Sequence, residues 1–412
     1  MESIVRDPSL ADPGEERLAW AAAHMPVLGR LRSAWQVSRP LAGRRISMCL
    51  HLEAKTAILA LTLQDAGAEV AIAGSNPLST QDEVAAALAR RGPRVFAWRG
   101  ATPDEYQRFV ELVGTFGPDL VLDDGADLSV WLHQRPDLIG RVQGITEETT
   151  TGLRRLSAME RQGVLACPVI AVNDARSKHL FDNRYGTGQS VWDAICRTTN
   201  LLVAGRVVVV AGYGWCGKGI ALRARGLGAR VVVCEVDPVA VNEALMEGFA
   251  VMPMAAAAAL GDVFITATGC RGVVREEHFR VMREGAILAN AGHFDVEVDV
   301  AALRRCDPQP VPVRPGVLAF RVAGRTLYLL GEGRLVNLAC GDGHPAEIMD
   351  MSFAVQAQSL AHLAESGGRL PRRVLPVPAA VDQAVAAQRL AALGVEHDQL
   401  SPGQSDYLAA WR

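Results

Sequence analysis

Residues 205–238, GRVVVVAGYGWCGKGIALRARGLGARVVVCEVDP, constrain the fold more than any other stretch. Four consecutive valines disfavour a helix, because β-branched side chains lose rotamer freedom against the preceding turn, and they suit a strand buried on both faces. Gly212, Gly214 and Gly217 follow in the spacing G-x-G-x-x-G, and the chain turns helical before a second valine run. Strand, helix and strand in this order call for a right-handed crossover and a parallel pair. Gly212 permits the tight turn, Gly214 lets the backbone approach a pyrophosphate, and Gly217 lets helix pack on strand. The helix N-terminus offers unpaired N–H groups to phosphates. Glu235 stands 21 positions after Gly214, at the end of the second strand. A carboxylate there accepts from the hydroxyls of an adenosine ribose and repels a 2′-phosphate, so the pattern points to NAD rather than NADP. Without the strand and the acid, the same glycines would read as an ordinary turn.

The rhythm recurs earlier in the chain. Residues 46–50 read as a short buried strand, Ala54–Asp65 carries helical spacing, Gly67 stops the helix, and a second strand covers 69–73. Further strands are expected in RVFAW, PDLVLDD and PVIAV, and in DVFITATG, GAILANAG and RTLYLLG. Such alternation defines an α/β chain with two doubly wound parallel-sheet domains, the second a Rossmann NAD-binding domain. A length of 412 residues is ample for two cores. The expected division is 1–188 with 345–388 for the first, discontinuous domain, 189–344 for the second, and a short helical tail over 389–412. The alanines at 255–259 read as a helix, and LPRRVLPVP as a proline-rich step.

Composition closes off other classes. The net charge of −3 gives no case for nucleic acid or an anionic membrane. No run of eighteen apolar residues indicates a membrane span, and the acidic, polar N-terminus is not a secretory signal. The eight cysteines are scattered, without C-x-x-C or zinc spacing, which suits reduced thiols in the cytoplasm and no metal site.

The segments CLHLEAKT, LDDGADL, GITEETTTG, NDARSKHLFDNRYG, NAGHFDVEVD and GRLVNLACGDGHPAEIMDMSF carry a resemblance. In order and spacing the chain resembles the S-adenosylhomocysteine hydrolases from about residue 40 onward, in the shorter branch seen in archaea and some bacteria. The resemblance implies a nucleoside-thioether substrate, tightly held NAD and a homotetramer. The implied chemistry oxidises the ribose 3′-OH, removes the C4′ proton, eliminates homocysteine, adds water and reduces the ketone again. It implies Lys178 beside the 3′-OH, with a lowered pKa, Glu148 on the ribose hydroxyls, and Asp182 and Asn183 orienting the lysine. Asp124 is then the C4′ base, with His51 near C5′ and His293 closing from the other domain. His344 falls at the amino-acid end of the substrate. Thr149, Thr150 and Thr151 fall at the nicotinamide ribose, and Asn290 and Asn337 near its carboxamide. The longer members end in an extension that enters a neighbouring NAD site; this chain stops at YLAAWR.

Each residue has a plainer reading when taken alone. His51 at a strand end is more often a satisfied core histidine, the threonines an ordinary helix start, and Lys178 with Asp182 a surface i, i+4 ion pair. Asp123 reads as a strand-end cap. One departure bears on the base. Where relatives carry an acceptor for the adenine amino group, this chain has Lys55, next to Glu53 and Thr56. Lysine donates three hydrogens and accepts none, which suits a 6-oxo purine such as hypoxanthine. Alternatively Lys55 pairs with Glu53 and leaves adenine to the backbone.

Overall fold

The computed structural model describes residues 2–411. Two eight-stranded sheets organise the chain. The first runs Ile4–Val5, Arg94–Ala97, Glu69–Gly74, Arg45–Leu50, Leu120–Asp123, Gly144–Glu147, Val169–Ala171 and Val374–Pro376, parallel throughout. The second runs Ala250–Val251, Arg230–Cys234, Val207–Ala211, Val263–Thr266, Ala286–Asn290, Arg325–Leu330, Val317–Val322 and Val311–Arg314. Its first six strands are parallel, and the last two add as antiparallel neighbours. Both are doubly wound α/β sheets, the second of Rossmann type.

Chain order reverses between Arg45–Leu50 and Leu120–Asp123 in the first sheet, and between Val207–Ala211 and Val263–Thr266 in the second. Ligands of open α/β sheets bind outside the carboxyl ends of strands at such switch points. His51 and Asp124 follow the first pair of strands, and Gly212 and Ala267 the second.

Apolar side chains cover both faces of each sheet. The helix Ala54–Asp65 is buried over most of its length because the helices Ala11–Ala23 and Pro26–Ser38 cover its outer side. That sandwich explains why its sequence is apolar nearly all round. The helix Ala346–Ser366 returns to the first sheet and buries Asp350, Ser352, Gln356 and Ser359 as well as its apolar residues.

Some elements depart from the sequence reading. The alanine run forms only one turn, Met254–Ala257. The proline-rich step contains the edge strand Val374–Pro376, where a missing N–H is harmless. No described helix is long and apolar enough to cross a membrane. All eight cysteines are free.

Candidate active site

One cavity of about 1500 Å³ joins the carboxyl ends of the two sheets. Its chemistry starts with the segment Lys178–Gly186, which winds as a π-helix. A wider turn brings residues i+4 and i+5 together beneath residue i. Lys178 Nζ accordingly lies 2.9 Å from Asp182 Oδ2 and donates to Asn183 Oδ1 at 3.0 Å. A third partner, Glu148 Oε1, lies 3.0 Å away. The plain surface-pair reading fails, since all four side chains are buried.

Each acid has its own support. Gln356 Nε2 donates to Glu148 Oε2 at 2.6 Å, and Ser352 Oγ to Asp182 Oδ2 at 2.6 Å. Asn183 Nδ2 donates to Asn173 Oδ1 at 3.0 Å, and Asn173 in turn to Thr150 Oγ1 at 3.1 Å. His344 Nδ1 stands 2.8 Å from Asp182 Oδ1, with Nε2 3.3 Å from Thr187 Oγ1, so this imidazole joins the lysine cluster.

Burial pulls the Lys178 ammonium down, but the Asp182 and Glu148 carboxylates more than reverse this and hold it above its ordinary value. The expected lowering of Lys178 is therefore not met. Burial pushes the Glu148 carboxyl up against the opposing pull of Lys178.

The second cluster spans the two sheets. Asp124 Oδ2 is 3.4 Å from His51 Nε2, and Oδ1 is 3.4 Å from His293 Nδ1. Asp124 Oδ1 is buried without a hydrogen-bond partner. The His51 ring is fixed by its other nitrogen, Nδ1, 2.7 Å from Ser79 Oγ. Burial lowers His51 to about 4, so its imidazole is neutral at ordinary pH. The three offer one ligand atom each, all within 4.8 Å of one another.

In the same cavity, Glu53 caps the helix Ala54–Asp65, accepting from the Lys55 and Thr56 amides. Lys55 Nζ lies 2.8 Å from Glu53 Oε2 and donates to the Asp342 carbonyl at 2.8 Å. Lys55, Glu53 and Thr56 all line the cavity.

On the second sheet Gly212 has φ +96°, and a Cβ on Gly217 would strike the Gly212 carbonyl, so neither tolerates a side chain. Gly214 is the N-cap of the helix Trp215–Gly226 and supplies no side-chain cap. The first N–H groups of that helix are left for a ligand. The Glu235 carboxylate is held at the cavity wall by the amides of Tyr213, Val236 and Asp237. Asn337 lines the cavity, with Nδ2 on Ser190 Oγ at 3.1 Å and Oδ1 buried without a partner, an acceptor that suits a carboxamide N–H. These residues fit NAD.

One other expectation is corrected. Asn290 does not face the cavity. It is wholly buried, its oxygen accepts from Thr266 Oγ1 and the Gly292 amide, and its nitrogen donates to the carbonyls of Gly292, Phe294 and Gly333. An amide so saturated builds the loop that carries His293. Thr149, Thr150 and Thr151 line the cavity; the Thr149 hydroxyl also donates to Glu147 Oε1 and accepts from the Gly152 amide as a helix N-cap. Sequence reasoning passed over Ser352, Gln356, Ser79 and Asn173. Ser352 and Gln356, four apart on the helix Ala346–Ser366, were the readable signal.

Fold and site together define an NAD-dependent enzyme with two doubly wound domains and a buried acid–base cavity between their switch points. Residues 2–138 match the family described as S-adenosyl-L-homocysteine hydrolase, and residues 183–343 match its NAD binding domain. The chain belongs to the S-adenosyl-L-homocysteine hydrolase family. It is 55% identical to the S-inosyl-L-homocysteine hydrolase of Methanopyrus kandleri, over 100% of this chain and 97% of that one. It is 54% identical to the adenosylhomocysteinase of Thermococcus kodakarensis, over 99% and 97%. The S-inosyl-L-homocysteine hydrolase of Methanocaldococcus jannaschii is also 54% identical, over 99% of each chain.

Proposed function

We propose that this chain hydrolyses S-adenosyl-L-homocysteine reversibly to adenosine and L-homocysteine. The observation that carries the proposal is the pairing of a buried lysine–carboxylate cluster with a histidine–aspartate cluster in the cavity that also holds the glycine loop. In this reading residues 1–188 and 345–388 bind the substrate, 189–344 bind NAD, and 389–412 form a tail. We extend the reading to a cytoplasmic homotetramer on the family resemblance.

NAD, when bound, supplies reversible hydride acceptance at the ribose 3′ carbon. The residues do the rest. Glu148 orients the ribose hydroxyls. Lys178 passes a proton to Glu148 across their 3.0 Å contact and then takes the 3′-hydroxyl proton, so charge is conserved within the cluster. Asp182 and Asn183 fix Nζ. Asp124 takes the C4′ proton that a neighbouring ketone has made acidic. His51 and His293 flank the C5′ position, where a proton goes to the departing thiolate and water enters. Asn337 and Glu235 hold the ends of the dinucleotide.

A second reading, S-inosyl-L-homocysteine as substrate, is favoured by one feature. Lys55 uses two of its three hydrogens on Glu53 and the Asp342 carbonyl, which leaves one donor for a 6-oxo group. The experiment is turnover of both thioethers by protein carrying NAD. Free homocysteine with the nicotinamide returned as NAD⁺ supports the proposal; stoichiometric NADH accumulation rejects it. The ratio of kcat/KM values ranks the two substrates.

A further inference from the structure

Asp124 and Glu148 come from different strands, yet both must be aimed at one ribose. Each is the second of two acids. Asp123 and Glu147 end neighbouring strands and are register partners, pointing away from the cavity, while Asp124 and Glu148 line it. Both inner acids are wholly buried.

We infer that Glu147 is a positioning residue for the reaction proposed above: a single carboxylate oxygen ties the loop that presents Asp124 to the loop that presents Glu148. Oε1 accepts from the Gly125 amide at 2.9 Å, directly after Asp124. The same oxygen accepts from the Thr149 amide at 2.9 Å and the Thr149 hydroxyl at 2.7 Å, directly after Glu148. The Glu148 amide donates to the Asp123 carbonyl at 3.0 Å, completing the bridge between the strand ends. Asp123 spends its own oxygens on the Asp124 amide, the Ser129 amide and the Ser129 hydroxyl, which fixes the other side of the Asp124 loop. Room for the Glu147 carboxylate exists because residue 152 is glycine: a Cβ there would overlap the carboxyl group. The last glycine of GITEETTTG, Gly152, is therefore a consequence of the first glutamate.

Glu147 Oε2 has no hydrogen-bond partner. Burial, then the Asp123 and Asp124 charges, pushes this carboxyl well above the usual range. What the tether needs at Oε1 is an acceptor of the right reach.

Two variants separate reach from charge. Glu147→Gln keeps the acceptor and loses the charge; Glu147→Asp keeps the charge and shortens the reach by one methylene. Glu147→Gln should stay within about threefold of wild type in kcat. Glu147→Asp should lose about 10²-fold in kcat with little change in KM, the cost of misplacing a catalytic group by about 1 Å. Gly152→Ala, which displaces the carboxylate from outside, should copy Glu147→Asp and stands in for it if that variant does not fold. Hydrogen exchange reads the tether without any reaction: the Gly125 and Thr149 amides should lose protection in Glu147→Asp and Gly152→Ala and keep it in Glu147→Gln. Wild-type turnover tests the reaction, and the exchange pattern tests Glu147 whatever that turnover is. Loss of activity in Glu147→Gln equal to that in Glu147→Asp would overturn the inference, as would unchanged protection in all three variants.

Discussion

The two halves of the site are built on different plans. The lysine half is saturated and prefabricated: Lys178, Asp182 and Asn183 come from one π-helix, and Nζ has three partners at 2.9–3.0 Å. The histidine–aspartate half is looser: both imidazoles sit 3.4 Å from Asp124, and one of them, His293, comes from the loop after a strand of the second sheet. Redox chemistry at the 3′ carbon needs a lysine fixed against a cofactor. In the proposed reaction, elimination at C5′ uses groups contributed by both sheets. The difference teaches that the first half should be costly to disturb in stability and the second in rate alone.

The largest expected effect therefore falls on Lys178. Lys178→Met leaves buried Asp182 and Glu148 without their cation and should lower unfolding free energy by about 3–5 kcal/mol, read by denaturant titration. Asp124→Asn should change stability little, because Asp124 Oδ1 has no hydrogen bond to lose. Equal losses in both variants would break the comparison.

His293→Ala should reduce kcat by about 10²-fold, in the range of a lost acid–base group, with no comparable stability loss. A stability loss as large as that of Lys178→Met would show that the two halves are built alike.

Asn337 and Asn290 sharpen the contrast on the cofactor side. Asn337→Ala should weaken NAD binding about tenfold, the worth of one hydrogen bond of ~1.4 kcal/mol, by titration of the apoprotein. Asn290→Ala should instead cost about 1–3 kcal/mol of stability through unpaired buried groups.

The pairing was legible only in part. The two sheets and the glycine–Glu235 site follow from periodicity and spacing, because valine runs and glycine turns are local physics; the strand order that sets the switch points does not. That Lys178 meets both Asp182 and Asn183 was carried by resemblance; no sequence signal announces a π turn. Asn290 was misplaced for a related reason. An asparagine at a strand end is equally suited to a ligand and to three neighbouring carbonyls, and only the folded loop decides. Glu147 was hidden behind Glu148, since adjacent acids look alike until strand alternation sends them to opposite sides.

A pH effect follows from His51. Its folded value, about 4, lies below the unfolded 6.5, so the folded state binds fewer protons between these values. Its contribution to stability is complete above 6.5 and is lost as pH falls from 6.5 toward 4. His51→Asn should flatten that part of the stability–pH curve; an unchanged curve would assign the acid sensitivity elsewhere. The smallest effect concerns the base: Lys55→Gln should shift the kcat/KM ratio toward the adenosyl over the inosyl substrate by about tenfold. An unmoved ratio would take Lys55 out of base recognition.

The central claim is that oxidation and elimination are run by separate clusters, and solvent exchange at C4′ tests it directly. In deuterated water with S-adenosyl-L-homocysteine, wild type should show transient NADH absorbance and deuterium at C4′. Lys178→Met should show neither. Asp124→Asn should keep partial NADH formation and lose the deuterium. If both variants abolish NADH formation to the same extent, or if Asp124→Asn exchanges C4′ at the wild-type rate, the two-cluster account is wrong.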